Sequence, residues 1–186
     1  VNPLDYVSPD NPRPLSTGSG GEFLNWLHSW EGTTGVVGDS YKVIAIGDGV
    51  RTVGAGVTLE NNPSRFAARG INIKDYPVGT TIPITIVESI EIEIINEFRS
   101  SVENTLAENS ITLNEKQIDA LVSRKYNTGN IRGFADAYKK YGNTNDLYNN
   151  WFFSGYRAGS QFETGLKRRR NAEWALFNRG EYVYNG

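Results

Sequence analysis

Apolar residues first fall at helical spacing at Phe23, Leu24, Trp26, Leu27 and Trp30. That predicts a helix over 22–30, with Gly32 as its C-terminal stop. The texture then changes. Tyr41, Val43, Ile44 and Ile46 lead into Gly47-Asp48-Gly49, and Val50, Thr52, Val53, Ala55 and Val57 follow. An Asp-Gly pair between two β-rich runs is a strong hairpin signal, so 40–58 is predicted to be a small antiparallel hairpin. Gly54 and Gly56 alternate along its second strand. They strip side chains from one face, which often marks close approach by a ligand or another backbone. A short helical turn is expected over 63–70 and a loop over 76–79.

After Pro83 the pattern turns helical and stays so. Thr85 and Glu88 have capping-box spacing, and Ile86, Ile90, Ile94, Ile95, Phe98 and Val102 form one apolar stripe. Asn114 with Gln117 opens the next helix, which carries Ile118, Leu121 and Val122. Shorter helices are expected over 134–141, 144–153 and 166–178, separated by Gly142 and by Gly155 and Gly159. The order of helix, hairpin and then many helices predicts an α+β fold. A small β-hairpin lobe stands beside a larger helical lobe, with a cleft between them as the natural seat for an extended ligand. Residues 1–21, rich in Pro, Gly and Ser, read as a linker before a domain at 22–186. With no methionine even at position 1, a further domain is expected to have preceded that linker.

Composition removes whole classes of chemistry. The 186 residues include no cysteine and a single histidine, His28. Disulfides, thiolate metal sites and cysteine nucleophiles are excluded, and neither metal nor cofactor is expected. No apolar run approaches the roughly 20 residues of a membrane-spanning helix. Residues 1–120 hold eight basic and sixteen acidic side chains, and residues 121–186 hold eleven basic and five acidic ones. Such asymmetry is expected of a chain whose second part faces an anionic polymer, or of one domain whose two lobes simply differ in charge. Without a recognisable docking motif, nucleic acid is not the expected partner.

Glu31 is the first candidate for chemistry. It ends an apolar helix between Trp30 and Gly32. Aromatic surroundings and the negative end of the helix dipole are both expected, from sequence, to favour the protonated form a general acid needs. Both effects suit a general acid near neutral pH. Trp151, Phe152 and Phe153 are expected in the core or on the lobe surface, and His28 on a helix face. Lys167–Arg170 are expected to cap carbonyls and pair with carboxylates, or to face the anionic partner.

Four ordered pieces resemble the phage-type lysozymes, glycoside hydrolase family 24. They are Trp-Glu-Gly at 30–32, Thr-Val-Gly-Ala-Gly-Val-Thr at 52–58, Ala120-Leu121-Val122-Ser123 with Tyr126-Asn127-Thr128-Gly129 and Gly133-Phe134, and Gly165-Leu166-Lys167-Arg168-Arg169-Arg170 with Glu173, Leu176 and Gly180. The resemblance spans about residues 22–182. It implies a lysozyme-like fold and a muramidase cutting the β-1,4 bond between N-acetylmuramic acid and N-acetylglucosamine in bacterial peptidoglycan. It implies Glu31 as general acid, Thr52 as holder of a water for an inverting reaction, and Tyr126 and Asn127 as glycan contacts. The family's aspartate six residues before the threonine is replaced by Ile46. Asp48 is the first choice for its role, and Asp39 the fallback. Val57 stands where the family commonly has histidine. The place of action implied is the bacterial cell wall, as an endolysin, a virion-associated lysin or a secreted autolysin. Two other readings stay open: a non-catalytic glycan-binding module on the same fold, and a lytic transglycosylase.

Overall fold

The computed structural model describes residues 20–47 and 49–186. The predicted linker lies outside them except for Gly20 and Gly21, which open the first helix. In chain order the elements are α1 (Gly20–Glu31), β1 (Val36–Val37), β2 (Ser40–Lys42), β3 (Ile44–Ile46), β4 (Val50–Val53), β5 (Val57–Thr58), α2 (Pro63–Ala67), β6 (Thr81–Pro83), α3 (Ile84–Glu108), α4 (Glu115–Thr128), α5 (Phe134–Tyr141), α6 (Asn145–Leu147) and α7 (Glu163–Arg179). A 3-10 turn at Ile73–Asp75 and a π-turn at Tyr148–Phe152 complete them. The described residues divide into two compact units, 31–94 and 20–30 with 95–186.

The first unit holds all the strands found among the described residues, and its predicted hairpin is reorganised. Residues 40–58 do not form one hairpin. β2 pairs with β1 and β6, whereas β3, β4 and β5 form a separate antiparallel sheet. Ile46 pairs with Val50 across the glycine turn, so the Asp-Gly signal sits where a hairpin was expected. Gly54 and Gly56 are not strand residues. With Ala55 they make a second tight turn, and Val53 pairs with Val57 across it. Their φ angles of 62° and 88° are left-handed, a region glycine enters without steric cost. Tyr41, Val43, Val53, Val57, Leu59, Phe66, Ile82, Val87 and Ile90 form the core. Each such side chain, fully buried, contributes about 1.5–3 kcal/mol. α3 starts at Ile84, so Thr85 lies inside the helix and is not its N-cap. Glu88 is buried instead and accepts the Tyr41 hydroxyl at 3.1 Å.

The second unit is helical. α4 opens with the predicted capping box: Asn114 Oδ1 accepts the Gln117 N–H, and Gln117 Oε1 accepts the Asn114 N–H. α5 has its predicted bounds. The single helix expected over 144–153 is a short α6 that widens into the π-turn, burying Leu147, Trp151 and Phe152 on one side. Phe134, Trp151, Phe152, Trp174 and Phe177 form an aromatic core with edge-on and stacked contacts 4.9–5.9 Å between centroids. Such pairs add about 0.5–1.5 kcal/mol beyond their buried area. α4 packs against α7. The residues after α7 run beside α1: the Val183 carbonyl accepts both indole N–H groups of Trp26 and Trp30, at 2.9 and 3.0 Å.

Candidate active site

Glu31 is the last residue of α1, and Gly32 follows with φ +69°, as a helix stop requires. The glutamate is half-buried, and its Oε1 is shut off from solvent. Three residues on, Thr34 is buried and reaches the second glycine turn. Its N–H donates to the Gly54 carbonyl at 3.0 Å, and its Oγ1 accepts the Gly54 N–H at 2.9 Å. These reciprocal bonds hold the segment after Glu31 against the turn that follows Thr52.

Thr52 lies in β4, the central strand of its sheet, between Ile44 and Thr58. It is 4% exposed, and its Oγ1 stands 3.5 Å from the Val50 carbonyl. The neighbouring Arg51 fixes the strand from outside. Its Nε donates to Glu60 at 2.6 Å, and its Nη1 donates to the carbonyls of Ile73 and Tyr76. Asp39 sits elsewhere, exposed in the β1–β2 turn of the other sheet, where its Oδ1 accepts the Ser40 hydroxyl at 3.3 Å. Asp48, the first choice for the carboxylate role, lies outside the described residues. Glu31, Thr52 and Asp39 all belong to the first unit.

Tyr126 and Asn127 belong to the second unit, in the last turn of α4. Tyr126 is half-buried and meets Phe98 edge-on at 5.9 Å. Asn127 Oδ1 accepts a hydrogen bond from Arg170. That arginine belongs to a buried charge network. Glu173, with no solvent exposure, faces Arg124, Arg169 and Arg170, and Ser123 Oγ donates to it. Burial pushes the Glu173 carboxyl up, but three guanidinium charges override it and hold the group below its ordinary value. Burial pushes Arg170 down to about 10, partly offset by Glu173. The basic run 167–170 is therefore divided. Arg169 and Arg170 are interior, Lys167 is half-buried and paired with Glu163, and Arg168 is exposed. Trp151 and Phe152 are core residues, Phe153 is half-buried, and His28 is half-buried on α1.

Sequence reasoning missed Thr34 and Glu91. Glu91 reads as one more charge on a helix, yet it is fully buried and accepts the Ala55 N–H at 2.9 Å. A signal was present: Glu91 interrupts an isoleucine-rich stretch between Ile90 and Ile92, both buried. Among the described residues no cluster of His, Cys, Asp or Glu could hold a metal ion, and no helix is long and apolar enough to cross a membrane.

Similar proteins give this arrangement its context. The sequence profile of the phage lysozymes matches residues 29–173. The fold is similar to that of an endolysin from Escherichia coli O157:H7 phage FAHEc1, at 19% identity and a TM-score of 0.53 over 87% of this chain and 94% of that one. It is also similar to the muramidase domain of SpmX from Asticaccaulis excentricus, at 18% identity and a TM-score of 0.51 over 83% and 93% of the two chains. No curated protein gave a significant sequence match. The expected lysozyme-like α+β fold is the one observed, and the chain belongs to the phage lysozyme family, glycoside hydrolases that act on the peptidoglycan of the bacterial cell wall.

Proposed function

We propose that this chain is a muramidase that hydrolyses the β-1,4 bond between N-acetylmuramic acid and N-acetylglucosamine, with Glu31 as general acid. Glu31 protonates the glycosidic oxygen as an oxocarbenium-like state develops at the sugar. Thr52 holds the attacking water on the opposite ring face, so the reaction inverts the anomeric centre. A carboxylate activates that water. Asp48 takes this role by its place in the sequence motif before Thr52, with Asp39 as the alternative. Tyr126 offers a ring face to the glycan. Asn127, its carbonyl engaged by Arg170, offers its amide N–H groups to an acetamido carbonyl.

One observation supports this reading above the others: the paired Thr34–Gly54 bonds, which bind the segment after Glu31 to the turn after Thr52 within one unit. A catalytic pair needs such a link, because the acid and the water holder must keep a fixed separation. The endolysin and the muramidase domain with similar folds support the substrate. Release as an endolysin or delivery as a virion-associated lysin fits the family.

Digestion of purified peptidoglycan, read by product mass, tests the reading. Muropeptides with hydrolysed, reducing muramic acid ends are expected. Anhydro-muramic ends would make the chain a lytic transglycosylase, and no cleavage at all would make it a glycan-binding module. Asp48→Ala and Asp39→Ala, compared at equal folded fraction, assign the carboxylate: the damaging one carries the role.

A further inference from the structure

The buried carboxylate of Glu91 has no part in the reaction outlined above. It comes from the second half of the first unit, on α3, and is fully buried. Its Oε1 accepts the N–H of Ala55, the middle residue of the turn joining β4 to β5. Ala55 is itself buried. Burying a carboxylate is costly unless it meets donors. The backbone N–H at 2.9 Å supplies one.

The space around that bond is already filled. A Cβ built on Gly54 would lie 2.6 Å from Glu91 Oε1 and 2.6 Å from Val87 Cγ1. On Gly56 it would meet nothing within 4 Å. The two glycines thus differ. Gly56 serves the φ angle alone, whereas Gly54 also lets α3 come close enough for Glu91 to reach the turn. Gly54 in turn carries both bonds to Thr34. A continuous path of contacts therefore runs from α3 through Glu91 and the Gly54-Ala55 turn to Thr34, three residues after Glu31. The same turn closes directly onto β4, two residues after Thr52.

We propose that Glu91 is a positioning residue. It clamps the Gly54–Gly56 turn to α3 and thereby fixes Thr52 and the segment after Glu31 in their working separation. It touches no substrate and transfers no proton. The proposal rests on the reading of Glu31 and Thr52 given above. A displacement of about 1 Å in a catalytic arrangement can cost on the order of 100-fold in rate, so a loosened turn is felt in turnover before it is felt in binding.

The test uses the full chain with Glu91→Gln, Glu91→Asp and Glu91→Leu. Glutamine keeps an acceptor at the same reach, aspartate keeps the charge but falls short, and leucine fills the space without an acceptor. Each variant is measured for kcat and KM on soluble peptidoglycan fragments, below its unfolding midpoint. Amide hydrogen exchange at Ala55 is followed alongside. The Gln variant should stay within about threefold of the parent in kcat. The Asp and Leu variants should lose about tenfold or more in kcat with little change in KM, while Ala55 exchange accelerates. Should the Leu variant not fold, the Asp variant decides. A folded Asp or Leu variant with parental kcat and fast Ala55 exchange would overturn the proposal, because the clamp would then be structural only. Glu31→Gln is run in parallel. If it is inactive while the Glu91 variants turn over normally, only the positioning role falls. If it is fully active, the reading beneath the proposal falls and the proposal with it.

Discussion

The two units bury different sets of ionisable groups and use them differently. The first unit buries carboxylates from α3: Glu88 takes a phenol hydroxyl from β2, and Glu91 takes a backbone N–H from the glycine turn. The second buries guanidinium groups, with Arg124, Arg169 and Arg170 around Glu173. In the first unit each buried carboxyl group reaches from a long helix to a short strand or turn. Its work is geometric. In the second unit the charges are embedded among packed helices beside an aromatic core, with Arg124 stacked 4.5 Å from the Trp151 ring. Removing Glu173 leaves three guanidinium groups without their carboxylate, so its work is energetic. The charge asymmetry along the sequence is therefore not wholly a surface property. Three of the eleven basic residues in the second part, and one of its five acids, are interior.

Glu173 carries the largest expected effect. Replacing it with glutamine strands three buried guanidinium groups. Loss of one partner from a buried ionic group typically costs about 3–5 kcal/mol. Urea unfolding should show that loss, while turnover per folded molecule stays near the parent value. A loss under about 1 kcal/mol would mean that the network contributes nothing net, as exposed pairs often do. Gly54→Ala sharpens the other side. The new methyl meets Glu91 Oε1 and Val87 Cγ1 at 2.6 Å on a backbone with φ +62°. Overpacking of this kind costs about 1–3 kcal/mol, and peptidoglycan turnover should fall by more than stability alone explains. Gly56→Ala, which meets no neighbour, should leave turnover closer to the parent at a comparable backbone strain.

Acid titration gives the smallest and most specific contrast. In the second unit Asp119 is paired with Arg99 and accepts the Tyr182 hydroxyl at 2.8 Å. Burial outweighs both and pushes its pKa up to about 7 from 3.8. A folded state that keeps a proton the unfolded chain has released loses stability as pH rises. The Asp119 contribution should therefore decline between about pH 4 and pH 7 and level off above. In the first unit burial pushes Glu93 up, but Arg69 and Arg65 prevail and hold it below its ordinary value. Its stabilisation is present above the unfolded pKa and is lost as pH falls through the folded one. Melting temperatures across pH should lose the neutral-range slope in Asp119→Asn and the acid-range slope in Glu93→Gln. Identical pH profiles for the parent and Asp119→Asn would contradict the assignment.

What the sequence made legible was local. The capping box at Asn114 and Gln117, the bounds of α5 and the stop at Gly32 all rest on signals within a few residues. The misreadings share a cause in long-range structure. Gly54 and Gly56 looked like strand residues because period-two spacing suits a strand and a tight turn alike, and only left-handed φ angles separate the two. Thr85 with Glu88 looked like a cap, but Glu88 is drawn inward by Tyr41, 47 positions away. Residues 40–42 looked like part of the hairpin until β6, some forty residues on, supplied their partner. The candidate site divides in the same way. Glu31 and Thr52 announce themselves through their neighbours, whereas Thr34 and Glu91 matter only through what the fold brings to them.

The proposed reaction depends above all on Glu31 delivering the proton. The most direct measurement is the turnover of soluble peptidoglycan fragments by Glu31→Gln, with a melting curve on the same sample. Glutamine keeps the size and hydrogen-bonding reach of the side chain and lacks only the acidic proton. General acid–base help is typically worth about 100- to 10,000-fold, so a loss in that range is expected at an unchanged melting temperature. A folded Glu31→Gln protein that turns over substrate at the parent rate would contradict that role.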